Sequence, residues 1–125
     1  MKFYIASGFR NKQVVRYVSQ KLLSQGYTHT YDWTLNQRAT SPEQLRKIGT
    51  LEKQAIVDCE ALILLLPAGY GSHTELGMAL ALGKRVYIYS EKEIEPATAS
   101  TFYFVDGVIR THGDIDKFIE RIGLV

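Results

Sequence analysis

Apolar residues alternate along the chain between short continuous runs and longer stretches in which they recur every three or four residues. The continuous runs at 2–7, 61–66 and 85–90 predict strands, and residues 27–33, rich in threonine and aromatic side chains, predict another. The run at 61–66 has no polar position, as expected of a central parallel strand that is covered on both faces.

The stretches with helical spacing lie between those runs. They predict four helices, over residues 14–23, 42–56, 72–82 and 115–122. Ser41 can cap the second helix, with Pro42 in its first position, and Asp114 can cap the fourth. The third is apolar nearly all round, so we expect it to be buried. The inner face of the second helix is predicted to consist of Leu45, Ile48, Leu51, Ala55 and Ile56.

Strands and helices therefore alternate, which predicts one α/β domain over residues 1–125. We expect a Rossmann-like, flavodoxin-like sheet of about five mostly parallel strands with helices on both faces. The sequence allows two structures at the end of the sheet: Asp106-Gly107 either turns a hairpin or precedes a last strand at 108–110. Ligands of such sheets bind beyond the carboxyl ends of the strands, so the candidate site comprises residues 7–12, 32–33 and 69–75.

Length and composition exclude several classes of function. A net charge of +2 on 125 residues argues against a nucleic-acid polymer as partner. The longest apolar run, 61–68, is too short to span a bilayer, and the first residues lack the pattern of a secretory signal. A single cysteine, Cys59, cannot form an internal disulfide and is expected to be a small buried apolar residue. We therefore expect a cytoplasmic protein that has no membrane partner.

The segment from Gly69 to Gly77, GYGSHTELG, is the most informative. Gly69 and Gly71 allow the backbone to approach a ligand closely, and the helix that follows directs free N–H groups towards a phosphate or a sugar oxygen. Glu75 is expected in the first turn, where a carboxylate can attack a sugar carbon and form a glycosyl ester. Ser72 and Glu75 also have the spacing of a capping box, so Glu75 alternatively holds only the helix end.

Two segments resemble the nucleoside 2-deoxyribosyltransferase family, which includes the 2′-deoxynucleoside 5′-phosphate N-hydrolases. They are KFYIASG at 2–8 and EALILLLPAGYGSHTELGMALALGK at 60–84, and the resemblance covers most of the chain in order. It implies an enzyme that cleaves or transfers across the N-glycosidic bond of a (deoxy)nucleoside or a nucleoside 5′-monophosphate, without a cofactor. It also implies a homodimer or higher homo-oligomer whose subunits complete one another's sites.

The resemblance implies catalytic roles for three residues. Glu75 is similar to the family's nucleophilic glutamate, and Tyr4 to the tyrosine whose hydroxyl lies near it. Glu52 stands where the family usually has an aspartate that holds the 5′ side of the sugar; alternatively it is a solvated helix residue. Gly69 replaces an aspartate that contacts the base in many of the transferases, so either the base is recognised by other residues or hydrolysis is kept without transfer.

Residues 7–10 resemble a stretch of the nucleotide hydrolases that binds the 5′-phosphate of the substrate. The residues that could do so here are Ser7, Gly8, Arg10 and Ser72. An arginine offers a bidentate fork to phosphate, although a surface arginine at a helix start needs no such role.

Three further residues can contact the base. Trp33 can stack on it and Asp32 can accept from an exocyclic amine, whereas the alternative for Trp33 is a core or interface anchor. His73 can donate to the leaving base or be an exposed loop histidine. No metal site is expected, because no metal-ligand spacing is present among His29, Cys59, His73 and His112.

Three other interpretations remain open. Residues 67–72 are similar to the phosphate loop of the cytokinin-activating phosphoribohydrolases, which would make the sugar ribose. An NAD-cleaving domain of the Toll/interleukin-receptor type also uses a glutamate in a compact parallel sheet. A non-catalytic nucleotide-binding or sensing module is the third, and the departures at Glu52 and Gly69 motivate it.

Overall fold

Five parallel strands form a single sheet in the computed structural model, which describes residues 1–124. The strands are β1 (Lys2–Ser7), β2 (Thr28–His29), β3 (Ala61–Leu65), β4 (Arg85–Ser90) and β5 (Val108–His112). The helices are α1 (Lys12–Ser24), α2 (Pro42–Asp58), α3 (Tyr70–Ala81) and α4 (Ile115–Ile122). Short 3₁₀ turns cover Phe9–Asn11, Trp33–Leu35, Pro96–Thr98 and Thr101–Phe104.

The strand order is β2-β1-β3-β4-β5, which confirms the flavodoxin-like prediction. Helices α1 and α4 contact each other on one face of the sheet, and α2 and α3 contact each other on the opposite face. The order reverses between β1 and β3, where Tyr4 lies opposite Leu62 and Ser7 opposite Leu65. A crevice therefore opens beyond the carboxyl ends of these two strands.

The core is built around the two central strands. Phe3 to Ala6 of β1 and all of β3 are fully buried, as their continuous apolar runs predict. Cys59 is 1 % exposed at the end of α2, which confirms its assignment as a small buried residue. No helix among residues 1–124 combines the length and the apolar character that crossing a membrane would require.

The second strand is shorter than predicted, because the chain turns before Trp33. Asp32 caps a 3₁₀ turn there, with its Oδ1 accepting from the backbone N–H of Thr34 at 3.0 Å. The indole N–H of Trp33 donates to the carbonyl of Ile5 at 2.7 Å and holds this turn against β1. At the other end of the sheet, Asp106-Gly107 precedes a parallel last strand and not a hairpin.

The alternative in which Glu75 closes a capping box is wrong, and so is the expectation that Glu75 lies in the first turn. Helix α3 begins at Tyr70, two residues before the predicted start, and the N–H of Gly69 donates to Ser72 Oγ at 2.7 Å. Ser72 is therefore the third residue of the helix, and Glu75 lies in the second turn. A side chain in that position cannot reach the unpaired N–H groups of the helix end, so capping does not explain Glu75.

Two predictions of burial were too broad. Within α2 only Ala55 and Ile56 are buried, whereas Leu45 is 60 % and Leu51 43 % exposed. In α3 the buried residues lie on one face, and they are Ser72, Glu75, Leu76 and Ala79. In the first turns of α2, Leu45 and Ile48 line an open hollow beside the crevice, so this apolar side of the helix is only partly covered.

Gly8 ties the connection after β1 to the connection after β3. Its N–H donates to Pro67 O at 2.9 Å, and a Cβ added at Gly8 would lie 2.9 Å from the same oxygen. We expect Gly8→Ala to lower the free energy of unfolding by about 1–3 kcal/mol, because the two connections must separate. Urea denaturation followed by circular dichroism measures this.

Gly49 is the matched control for that substitution. It lies in α2 with nothing within 4 Å of an added Cβ, so Gly49→Ala should stabilise the protein by about 0.5–1 kcal/mol. Equal effects of the two substitutions would contradict the role given to Gly8.

Candidate active site

Three side chains from three different elements meet at the crevice. The hydroxyl of Tyr4 in β1 donates to Oε2 of Glu75 in α3 at 2.6 Å, and Oε2 of Glu52 in α2 lies 3.3 Å from the same hydroxyl. A phenol has one proton, so the shorter contact is the principal hydrogen bond. The two carboxylate oxygens are therefore no more than about 6 Å apart, a separation typical of paired catalytic carboxyl groups.

Burial differs among these three groups. Tyr4 is fully buried and Glu75 is 9 % exposed, whereas Glu52 is half-buried at the edge of α2. Tyr4 sits in the fully buried part of β1, between Phe3 and Ile5, where an unpaired hydroxyl would cost free energy. Its hydrogen bond to Glu75 thus supports both the core and the site.

Burial also shifts the pKa values of Tyr4, Glu52 and Glu75. It raises the pKa of Glu75 to about 8; the hydrogen bond from Tyr4 offsets part of this effect and the charge of Glu52 adds to it. Burial likewise raises the pKa of Glu52, and burial together with the two carboxylates raises the pKa of Tyr4 far above that of a free phenol. At pH 7 Tyr4 is therefore a permanent donor, and Glu75 is mostly protonated in the free protein.

A cleft of about 300 Å³ opens beside Glu75. Its lining residues are Ser7, Gly8, Phe9, Trp33, Glu52, Gly69, Tyr70, Gly71, Ser72 and Glu75. A second hollow of about 500 Å³ shares Phe9, Trp33, Glu52 and Gly71 with it and continues along α2. The two together offer room for a sugar beside Glu75 and for a flat, largely apolar group farther out.

The hydroxyl groups of the cleft are engaged by the protein itself. Ser7 Oγ donates to Leu65 O at 2.7 Å and accepts from Asn11 Nδ2 at 2.9 Å. Ser72 Oγ accepts from the N–H of Gly69. The donors that remain for a ligand are the first backbone N–H groups of α3, which have no partner within a helix.

Arg10 does not line this cleft. It is exposed in the 3₁₀ turn after β1 and borders a separate depression with Asn11, Lys12 and Arg16. Phe9 lines both places, so the depression that Arg10 borders is next to the cleft but separate from it. Its role towards a phosphate stays a prediction.

Of the three residues predicted to contact the base, only Trp33 lines the cleft. Trp33 is 7 % exposed; its indole anchors the turn to β1 and also forms part of the cleft wall, 6.3 Å between ring centroids from Phe9. Asp32 is engaged by Thr34 and does not line either hollow. The ring of His73 lies against that of Tyr103, outside both hollows.

Sequence reasoning missed several residues that line the two hollows. They are Asn36, Gln37, Arg38, Ala39, Leu45 and Ile48, whereas Phe9 and Tyr70 fall inside the predicted ranges 7–12 and 69–75 but were given no role. Phe9 stands between two residues that were singled out, and its position after a buried strand could have identified it. For Leu45 and Ile48 the helical spacing was recognised, but it indicates an apolar side of α2 without showing what that side faces.

Among residues 1–124 no three histidine, cysteine, aspartate or glutamate side chains are grouped as metal ligands. His29 stacks on Phe3, and burial lowers its pKa. Burial raises the pKa of Cys59 to about 11, so that thiol is not a nucleophile at neutral pH.

Comparison with known proteins places the fold. No family model matches the chain, and no curated protein matches it either. Among solved structures, the CMP N-glycosidase BcmB of Clostridium botulinum is similar over 99 % of this chain and 100 % of that one, with a TM-score of 0.67 and 22 % identity. At this level of identity the likeness shows a shared α/β fold.

The raised pKa of Glu75 makes stability depend on pH. Below about pH 4.5 the carboxyl is protonated in both the folded and the unfolded chain; above it the unfolded chain ionises first, so stability falls until about pH 8. We expect the stability of Glu75→Gln relative to the wild type to rise by about 2–4 kcal/mol between pH 4.5 and pH 8.5. The advantage should shrink towards pH 4.5, as measured by urea denaturation across this range. A difference that stays constant from pH 5 to 9 would contradict the assignment.

Proposed function

We propose that this protein hydrolyses the N-glycosidic bond of a nucleoside 5′-monophosphate through a covalent glycosyl intermediate on Glu75. The observation that carries the proposal is the Tyr4 hydroxyl held between the Glu75 and Glu52 carboxyl groups in a cleft wall. Carboxyl groups this close suit a double displacement, because a single displacement needs a larger gap that admits water. The fold shared with a nucleotide N-glycosidase supports the reaction class.

The first half of the reaction forms the intermediate. Glu75 passes its proton to Glu52 when the substrate enters, and Tyr4 keeps the resulting carboxylate oriented. An oxygen of Glu75 then attacks C1′ of the sugar while the bond from C1′ to the base nitrogen breaks. The electron pair of that bond stays on the base, which takes the proton from Glu52.

The second half releases the sugar. Glu52 takes a proton from water, the hydroxide attacks C1′, and the bond from C1′ to Glu75 breaks with its electron pair returning to the carboxylate. The proton on Glu52 then returns to Glu75, which restores the resting site. Water is the acceptor in this proposal, because Gly69 supplies no carboxylate to bind a second base.

The substrate's 5′-phosphate would lie at the start of α3. The free N–H groups and the dipole of that helix favour an anion, and Gly8 and Gly71 let the backbone approach it closely. Arg10 would complete this subsite by reaching round Phe9.

We also propose that the active form is a homo-oligomer. Leu45 and Leu51 are exposed apolar residues of α2, Leu45 lines the second hollow, and Leu82 after α3 is 51 % exposed. A second copy that packs on α2 would bury these residues and close the open side of the cleft.

A charge on α2 tests the oligomer. We expect the wild type to sediment as a dimer or larger species and Leu51→Lys to sediment as a monomer with reduced turnover, because a lysine would have to be buried in the interface. Lys53→Gln, on the same helix, should leave the mass unchanged. A monomeric wild type with full activity would contradict this part of the proposal.

A chromatographic screen for free base tests the reaction. Deoxy- and ribonucleosides are offered with and without a 5′-phosphate, alongside NAD. We expect base release from a monophosphate, a loss of about a thousandfold or more in Glu75→Gln, and losses of about a hundredfold in Glu52→Gln and Tyr4→Phe. Glu95→Gln, an exposed glutamate after β4, should retain full activity.

Three results would contradict the reaction. Undiminished turnover in Glu75→Gln would remove the assigned nucleophile. Release of nicotinamide from NAD with none from nucleotides would favour the NAD-cleaving alternative. Tight nucleotide binding with no turnover of any substrate would indicate a binding module.

A further inference from the structure

A hydrogen-bonded chain links the connection between β4 and β5 to the wall of the cleft. The hydroxyl of Tyr103 lies 2.6 Å from Nε2 of His73, and Nδ1 of His73 lies 2.8 Å from the carbonyl oxygen of Gly69. The rings of Tyr103 and His73 are stacked, with centroids 5.8 Å apart and planes inclined by 17°. The start of α3 and the 3₁₀ turn at Thr101–Phe104 thus meet through one imidazole.

The direction of these hydrogen bonds follows from the acceptor at one end. The carbonyl of Gly69 can only accept, so Nδ1 of His73 carries the proton. In a neutral imidazole Nε2 is then an acceptor, and the hydroxyl of Tyr103 donates to it. Both ring nitrogens are therefore engaged, and no N–H of the ring is left to donate to a leaving base.

The carbonyl of Gly69 is held from several sides. It accepts from Nδ1 of His73, from the backbone N–H of His73 at 3.0 Å and from Ser72 Oγ at 3.1 Å. Because a peptide is planar, this carbonyl also fixes the direction of the N–H of Tyr70, which belongs to the same peptide. That N–H is in the first turn of α3, and Gly69 and Tyr70 both line the cleft.

Tyr103, at the other end of this hydrogen-bonded chain, is itself held in place by the protein. Tyr103 is 7 % exposed, its carbonyl accepts from Nη1 of Arg110 in β5 at 2.8 Å, and its N–H donates to Ser100 O at 3.1 Å. The hydroxyl of Tyr103 is thus presented to His73 from a fixed position next to the sheet.

We propose that Tyr103 is a positioning residue that acts through His73 on the Gly69–Tyr70 peptide. By fixing that peptide it directs the first N–H groups of α3 at the bound anionic oxygen of the substrate. The role rests on the proposed function, and it assigns His73 to substrate binding and not to proton transfer. It therefore acts on KM, while kcat depends on the Tyr4–Glu52–Glu75 group.

Removing one hydroxyl tests the role of Tyr103. We expect Tyr103→Phe to keep the stacked ring, to raise KM for the cleaved monophosphate about fivefold and to leave kcat unchanged, which corresponds to one lost hydrogen bond. Tyr89→Phe is the matched control, because Tyr89 is 6 % exposed and its hydroxyl donates to Gly113 O, away from the cleft. The control should keep the KM of the wild type.

His73→Asn separates positioning from proton transfer. An asparagine amide can reproduce the hydrogen bond of Nδ1 to Gly69 but cannot reach Tyr103. We expect it to match Tyr103→Phe in KM, and the double variant to be no worse than either single one, because all three break the same chain. A fall in kcat in His73→Asn with no change in Tyr103→Phe would overturn the proposal in favour of proton donation by His73.

Nitrogen-15 NMR of the imidazole tests the chain independently of turnover. In the free wild-type protein we expect the His73 tautomer with the proton on Nδ1, and loss of this single tautomer in Tyr103→Phe but not in Tyr89→Phe. A proton on Nε2 in the wild type would overturn the proposal. If the wild type cleaves no nucleotide, the proposed function fails, and the NMR result still decides whether the hydrogen-bonded chain exists.

Discussion

The site depends on one buried hydroxyl. Tyr4 lies in the fully buried centre of β1, and its O–H needs a partner that the neighbouring strands cannot supply, since their backbone groups are paired within the sheet. Glu75 meets that need at 2.6 Å and becomes buried in doing so, which in turn raises its pKa. The packing of the core and the raised pKa of Glu75 are thus consequences of the same contact.

The strand order explains why these groups meet. Tyr4 is in β1, and the chain passes through α1, β2 and α2 before β3 returns to pair beside β1. Helices α2 and α3 then lie on one face, so Glu52 and Glu75 approach Tyr4 from the same side. The crevice at this reversal is where ligands of such folds bind.

Most polar side chains at the rim serve the protein's own loops. Ser72 and Asp32 hydrogen-bond within their own connections, Ser7 bonds to Asn11 and to Leu65 of β3, and His73 joins Gly69 to Tyr103. The cleft therefore meets a ligand with backbone N–H groups, aromatic rings and two carboxyl groups. That combination is the reason why we propose a ligand with an anionic sugar and a flat apolar substituent.

The sequence by itself determined the elements and the fold class, because continuous apolar runs and three-to-four-residue spacing report directly on local burial. It also indicated Glu75, Tyr4 and the glycine-rich connection. Only the tertiary structure decided that Glu75 lies in the second turn of α3, because Ser72 closes the start of the helix back onto Gly69 and not onto Glu75. It alone showed that Leu45 and Leu51 of α2 are uncovered, because spacing marks an apolar side without naming its neighbour. Tyr4, Glu52 and Glu75 are far apart along the chain, and only the packing of both helices on one face of the sheet brings their oxygens within reach.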